Sequence, residues 1–542
     1  MKESSSSSQT AAPAPRLASS PFDKPDADIV LRSADGVDFC VRSHILIEAS
    51  PVFESILSIP QPQMDGRPII DLTEDHKTLD IILRICYPIV KPDSPRSLGE
   101  IELAVKAALK YDTELPLSVL KGELFSLSPT NPIAVWAIGC RTGLEDVARR
   151  GAAEIVVRQA PLNVAVGDLE GVSAGDYYRL REFHRKGGKV EDGFRLISSS
   201  TETPSEASGT SGYVAAPAEA PYPDLVCTSS DGIEVLAHRG FLASASPVLK
   251  RQIDGLAKPT SGSDLLVLRL SEPAQLLKSL LGLCYPGQVP DLRSSPSHLA
   301  AVLAALEKYE MQSLRIAILP QWEKITGAEP LRAYSVAAGL AHLRDCAKTA
   351  AKYTLSASLE GRYVMEMESA SALAYHHLIA YHTSCRAVAN ELLRPLLPEP
   401  EDKLSEYHRD DAWAASPRVQ MKKGKKADCY YHSKCASQME VPPNTSSQDV
   451  WLTNYIEDVV AKTEAHPNDV PLVPSAFEAA LTAGQWCRSC STLATKLSAI
   501  DTALRAIGSR IEQASITCTC AVSMRVPDAH LTDISGVLTR PI

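Results

Sequence analysis

Cys487-Arg-Ser-Cys490 is the only Cys-x-x-Cys in the chain, and Cys429-Tyr-Tyr-His432-Ser-Lys-Cys435 lies upstream of it. Thiolates two residues apart, joined by a Cys/His cluster, are the donor types that complete a tetrahedral structural zinc centre. The gap of about fifty residues between the two halves is much longer than in ordinary zinc modules, so free thiols in a helical region are the competing reading. Cys518-Thr-Cys520 has the wrong spacing for tight chelation. His382 and Cys385 stand three apart on a predicted helix and could act as ligands. Yet Tyr375, Leu378, His382 and Cys385 follow 3-4-3 spacing, the rhythm of a core-facing stripe, and a core histidine is the better reading. Lys422-Lys-Gly-Lys-Lys426 could serve as a nuclear address, but such runs are usually solvated loop and no further basic cluster supports this one. No GxxxxGK[ST], GxGxxG after a strand, HExxH or GxSxG occurs. A zinc- or thiol-dependent enzyme therefore has only the C-terminal cysteines behind it, and the expectation is a non-enzymatic protein without a cofactor.

The chain ahead of these C-terminal cysteines repeats itself. Asp28-Ile-Val-Leu, Ser33-Ala-Asp-Gly and Glu48-Ala-Ser-Pro-Val-Phe53 return as Asp224-Leu-Val-Cys, Ser229-Ser-Asp-Gly and Ser244-Ala-Ser-Pro-Val-Leu249, each displaced by 196. Ile85-Cys-Tyr-Pro88 answers to Leu283-Cys-Tyr-Pro286 and Leu109-Lys-Tyr111 to Glu307-Lys-Tyr309, displaced by 198. A shift this constant indicates two copies of one folded unit, and so long a period excludes a solenoid, whose repeats run to about 20–50 residues. Each copy opens with β character around an Asp-Gly turn, Asp35-Gly36 or Asp231-Gly232. Helical spacing follows over Ser43–Leu57, with short β candidates at Ile69–Leu72 and Leu265–Leu270. Helices predicted at Leu79–Cys86 and Leu276–Cys284 are halted by the Tyr-Pro behind them. Ala/Leu-rich helices follow, so the fold class is α+β: a small sheet flanked by helices, twice, each with a helical extension.

The expected divisions are a Ser/Ala/Pro-rich disordered tail at 1–21, a first unit at 22–187 and a flexible linker at 188–223. A second unit at 224–393 follows, then a mostly helical region at 394–542 whose fold has no sequence signature. Within that region Leu493, Leu497, Ile500, Leu504, Ile507 and Ile511 keep a 4-3-4-3-4 rhythm, suited to a short coiled coil or to packing on the chain's own helices. Of 542 residues, 44% are hydrophobic and 22% charged, an ordinary globular balance. A net charge of −10 gives no electrostatic reason to expect nucleic acid as a direct partner. Thirteen scattered cysteines, no secretory leader and no run of 18 apolar residues lead to the expectation of an intracellular protein, cytoplasmic or nuclear, with no membrane segment.

The string Val235-Leu-Ala-His-Arg-Gly-Phe-Leu-Ala-Ser-Ala-Ser246 resembles the signature of BTB/POZ domains, in which an apolar-x-Val/Ala-His-Lys/Arg-x-x-Leu segment leads into a helix. Asp224-Leu225 fits the domain's opening strand. The first copy, Phe39-Cys-Val-Arg-Ser-His-Ile-Leu46, departs from the pattern: Arg42 stands at the histidine position and Ser43 at the basic one. The Tyr-Pro after the third helix and the Ala-Ala-Leu-Lys-Tyr pattern are most similar to the large basidiomycete-type fungal group of BTB proteins.

What the resemblance implies is protein–protein interaction. BTB domains dimerise, and many bind cullin-type ubiquitin-ligase scaffolds or transcriptional regulators. A substrate adaptor for a cullin-type ligase is thus the specific expectation, with a transcription-linked dimerisation protein as the alternative. In dimeric members an aspartate and a basic residue form a buried charged pocket, which assigns that role to Asp224 and Arg239, beside His238. Asp28, Arg42 and Phe53 are the first copy's counterparts. There the pair is broken by Ser43, so Asp28 is exposed, finds Arg42, or caps the strand. The two units could pair within one chain, since the Ser/Thr/Glu/Pro/Ala-rich stretch 198–223, about 25 residues, spans roughly 25–30 Å. Pairing between chains is the alternative.

Overall fold

A computed structural model of the chain describes residues 16–198 and 222–393, apart from 61, 65, 90–95, 159–161, 163, 257–264 and 288, together with a few positions between 499 and 510. The chain divides into two units, Met1–Thr203 and Pro204–Ile542.

In the first unit, β1 (Arg16–Leu17), β2 (Ile29–Arg32), β3 (Val37–Val41), β4 (Gln63–Met64) and β5 (Arg67–Asp71) form one sheet in the order β1-β3-β2-β5-β4. The β2–β3 hairpin turns at Gly36, whose φ of 77° no β-branched residue would tolerate. Ser33 ties it off: its hydroxyl accepts from the Val37 amide at 3.0 Å. Between β3 and β5 run α1 (Ser43–Ala49) and α2 (Pro51–Leu57). The sequence predicted one helix here, but it breaks at Ser50, which is extended so that its hydroxyl can accept from the Phe53 amide at 3.0 Å. Pro51 then sits in the first turn of α2, where its missing N–H costs nothing.

The helices after the sheet are α3 (His76–Cys86), α4 (Leu98–Lys110), α5 (Glu114–Leu127), α6 (Pro132–Thr142), α7 (Glu145–Val157) and α8 (Ala174–Arg185). Asp75 caps α3, which stops at an extended Tyr87 before Pro88. Ser97 and Glu100 close a reciprocal capping box on α4. Helices α6 and α7 meet through glycines. A Cβ on Gly139 would lie 2.4 Å from the Ala148 amide nitrogen, and one on Gly151 would lie 2.6 Å from the Pro132 carbonyl. The core gathers Leu31, Phe39, Leu46, Phe53, Leu79 and Ile101 with their neighbours from α3 to α7.

Both expected boundaries of this unit move outward. Arg16 and Ala18 donate backbone hydrogen bonds to Gly36 and Asp38 of β3, and Phe22 is fully buried. Order therefore begins ahead of residue 22, because strand pairing uses backbone groups that Ser/Ala/Pro composition does not advertise. At the other end, the Glu145 carboxylate accepts from the amides of Leu196 and Ile197, and Leu196 is buried. The segment after 187 is thus docked at least to Ile197.

In the second unit, β6 (Leu225–Thr228), β7 (Glu234–Ala237) and β8 (Leu266–Arg269) pair in the order β7-β6-β8. Strand β7 is antiparallel to β6 and β8 parallel to it, as β3 and β5 are to β2. Helices α9 (Arg239–Ala245) and α10 (Pro247–Asp254) lie between β7 and β8. They are followed by α11 (Ala274–Cys284), α12 (Pro296–Lys308), α13 (Gln312–Ala328), α14 (Pro330–Ala337), α15 (Arg344–Thr354) and α16 (Ala372–Leu393). Ser246 breaks the first helical segment and caps α10, accepting from the Leu249 amide at 3.0 Å. Leu225, Leu242, Leu249, Leu277, Leu303 and Trp322 anchor the core. On α16, Tyr375, Leu378, His382 and Cys385 are all buried, as their spacing predicts, and the Thr354 hydroxyl meets His382 Nε2 at 2.9 Å. Of the heptad positions, Ile507 is buried, and Arg510 beside it pairs with Glu391 of α16 at 3.1 Å.

Candidate interaction site

In the second unit the site forms where β7 hands over to α9. His238 ends the strand in an extended conformation, so the amides of the first turn of α9 lack intrahelical partners. Asp224, just before β6, supplies one. Its carboxylate accepts from the Arg239 amide at 2.8 Å and from Arg239 Nε at 3.0 Å. The Tyr285 hydroxyl, projecting from the residue that ends α11, accepts from the His238 amide at 2.9 Å and meets His238 Nδ1 at 3.0 Å. The Phe241 ring covers Tyr285 at 4.7 Å between centroids. Burial alone would raise the Asp224 pKa, but the bonds from Arg239 outweigh it and hold the carboxyl below its usual range.

The Asp224–Arg239 pair is therefore present, but it is not the buried charged pocket that the resemblance implies. The two side chains are 42% and 48% exposed in this chain. The aspartate acts first on the backbone, closing the start of α9, and only secondarily on the guanidinium. Exposed pairs of this kind contribute about 0–1 kcal/mol.

The first unit keeps the backbone half of this device. Asp28 accepts from the Ser43 amide at 2.8 Å, and also from the Ser43 hydroxyl, which takes the place of the guanidinium. Of the three alternatives for Asp28, exposure holds, and the residue also acts as a cap, though on helix α1 rather than on the strand. Arg42 turns away to an exposed ion pair with Asp26. The Tyr87 hydroxyl accepts from the Arg42 amide at 2.8 Å. Phe53 is not at the surface: it is 2% exposed and stacks on Tyr111 at 4.7 Å. Leu249, its counterpart by position, is likewise fully buried.

Several positions that share this work escaped the site prediction. Ser50 donates to the Tyr111 carbonyl, and Ser246 to the Tyr309 carbonyl at 2.6 Å. Glu74 accepts from Lys110 at 2.8 Å and from the Tyr111 hydroxyl, and Glu272 accepts from Lys308 and, at 2.5 Å, from the Tyr309 hydroxyl. Burial, helped by the adjacent carboxylate, pushes both phenols well above the ordinary tyrosine range. The signal for the serines, lysines and tyrosines was the echo of Ala-Ser-Pro and Lys-Tyr between the two copies, whereas Glu74 and Glu272 lie in none of the echoed strings.

Cys429, His432, Cys435, Cys487 and Cys490 lie outside the described residues, as does the run from Lys422 to Lys426. Among the described residues, no cluster of three His, Cys, Asp or Glu side chains could hold a metal ion. Among them too, no helix is long and apolar enough to cross a membrane.

A strand hairpin, two short helices, a parallel third strand and a helical cover thus frame this site. Residues 217–319, from just ahead of β6 into α13, match the family described as BTB/POZ domain. The chain carries one such domain there, of a kind that typically serves protein–protein contacts. A search of curated proteins matched none.

Proposed function

We propose that the chain is a protein–protein interaction scaffold acting through two tandem BTB/POZ-like units, 22–187 and 224–393, with 16–21 and 188–197 added to the first. The observation that carries this reading is a set of hydrogen bonds recurring at displacements of 196 and 198. Asp28 and Asp224 cap the helices that follow β3 and β7, and Tyr87 and Tyr285 take the preceding amide. Ser50 and Ser246 reach the carbonyls of Tyr111 and Tyr309. Such bonds join residues about 15 to 60 positions apart, so their coincidence supports a common chain path in both units rather than similar helices alone. The sequence pattern resembles the fungal BTB group, and the specific role proposed is substrate adaptor for a cullin-type ligase.

The adaptor role is tested by affinity purification from cells and mass spectrometry, with a variant lacking 224–393 as control. Recovery of a cullin by the full chain and not by the variant is the expected result. Recovery of self-peptides or chromatin proteins alone leaves a dimerising scaffold and removes the ligase. Pairing of the two units within one chain is proposed with it, because a linker holds them at roughly millimolar effective concentration. Light scattering after size exclusion should then find a monomer at micromolar protein, and a stable dimer would refute that pairing.

A further inference from the structure

The two sheets pair their three common strands alike but differ on the face turned away from the core. In the second unit Leu225, Cys227, Val235 and Leu268 point into the core, so strand alternation turns Val226, Leu236 and Val267 outward. These three stand side by side, Leu236 and Val267 each opposite Val226 across its own ladder. Val226 is half-buried, and Leu236 and Val267 are 39% and 47% exposed. The next row along the same face is Glu234, Thr228 and Arg269. The outer strands of such a sheet run about 10 Å apart. Among the described residues neither Glu234 nor Arg269 has an ion-pair partner.

The first unit has no such face. At the matching positions Val30, Cys40 and Ile69 are 7%, 7% and 9% exposed, gathered with Ala27 into a small core of their own. The row beside them is Asp38, Arg32 and Asp71, and the central Arg32 joins Asp38 through Nε at 2.7 Å. Thr228 replaces that central cation in the second unit, which leaves a negative charge at one side of the row and a positive charge at the other. Such a row complements itself when turned over. A twofold axis parallel to the strands, midway between two sheets stacked about 10 Å apart, lays β8 of one copy over β7 of the other and keeps each row over itself. Glu234 then faces Arg269 of the second copy at two places, and Leu236 faces Val267 on either side of a central pair of Val226 side chains. An axis across the strands would keep β7 over β7 and give neither charge a partner.

We propose that the outer face of β7-β6-β8 docks a second copy of this chain, sheet on sheet, about a twofold axis parallel to the strands. The geometry is read from the second unit's sheet and holds whatever the family of the first unit. Three strands of four residues cover roughly 200 Å², against about 800 Å² per partner in a standard stable interface. The contact is therefore weak and leaves the chain a monomer at micromolar protein, as pairing within one chain also expects. It acts between copies that a shared partner already holds close, where effective concentrations reach the millimolar range.

Sedimentation of the full chain at low ionic strength, where exposed charges are least screened, tests this from micromolar protein towards the millimolar range. The weight-average mass should rise with concentration. Glu234→Arg and Arg269→Glu should each weaken association by at least about tenfold, because each sets like charges face to face at two places. An equimolar mixture of the two variants should associate again, since every charge contact between them joins opposite signs. That recovery also shows that both variants remain folded. A mass that stays constant in the natural chain overturns the proposal and leaves the face to another protein or to the chain's own residues. So does association that either variant leaves unchanged, which would place the contact elsewhere, or a mixture that fails to recover, which would show that the charges do not meet. All of these outcomes are read above micromolar protein, so the light-scattering test of pairing within one chain stays separate.

Discussion

Replacing Arg239 with alanine separates a buried charge pocket from a helix cap. If the pair were desolvated, removing one partner would strand a buried carboxylate at a cost of about 3–5 kcal/mol. In the structure the two side chains are 42% and 48% exposed, and Asp224 keeps its 2.8 Å bond to the backbone of residue 239 whatever side chain is there. Arg239→Ala should therefore cost about 0–1 kcal/mol. Asp224→Ala removes the cap as well and should cost more, about 0.5–2 kcal/mol. For a unit of this size each kcal/mol moves the melting temperature by about 2–4 °C. Calorimetry of the full chain and of the two single variants and the double variant, run as a cycle, isolates the side-chain coupling, expected to stay under about 1 kcal/mol. Asp224→Asn, which retains an acceptor oxygen, should recover part of the loss. A destabilisation of 3 kcal/mol or more from Arg239→Ala would refute the reasoning. It would show that something covers the pair in solution, as a partner surface would.

Other substitutions probe the packing. Phe53→Ala, which removes the ring stacked on Tyr111, should cost about 3–5 kcal/mol, and thermal unfolding that moves by less than about 2 °C would contradict its place in the core. Gly151→Ala forces a methyl against the Pro132 carbonyl and the Trp136 amide, backbone that cannot give way alone. It should destabilise by about 1–3 kcal/mol, measurable by urea unfolding, whereas Gly122→Ala on α5, with open space around it, should be neutral or stabilising. Burial first, and Arg386 second, lower the His382 pKa to about 4 from an ordinary 6.5. Between those values the unfolded chain binds a proton that the folded one refuses, so stability falls as pH drops through that window, by up to about 1.4 kcal/mol per pH unit. His382→Asn should flatten the melting temperature across pH 4–6.5, and an unchanged slope would assign the effect elsewhere.

Much of the architecture was legible because its signals are local. Asp-Gly turns and Tyr-Pro stops act within a few residues, and each repeats between the two copies. The stripe from Tyr375 to Cys385 needed only helical period to be read as core. Ser50 and Ser246 were harder. Periodicity ran straight through them, and their bonds to the Tyr111 and Tyr309 carbonyls, at the ends of α4 and α12, appear only in the tertiary structure. At the site, residue types identified Asp224, His238 and Arg239, while the tyrosines that receive the neighbouring amides lie 45 to 47 positions away.

By itself, then, the chain determined its α+β class, the spans of many of its helices and the BTB-like segment around His238. Tertiary structure alone decided that the charge pair stays in solvent, that Asp28 caps a helix through Ser43, that residues 16–18 extend the sheet and that α6 and α7 touch through Gly139 and Gly151. Caps and periods depend on neighbours in sequence. Desolvation, strand pairing and close packing depend on which distant atoms arrive at the same place.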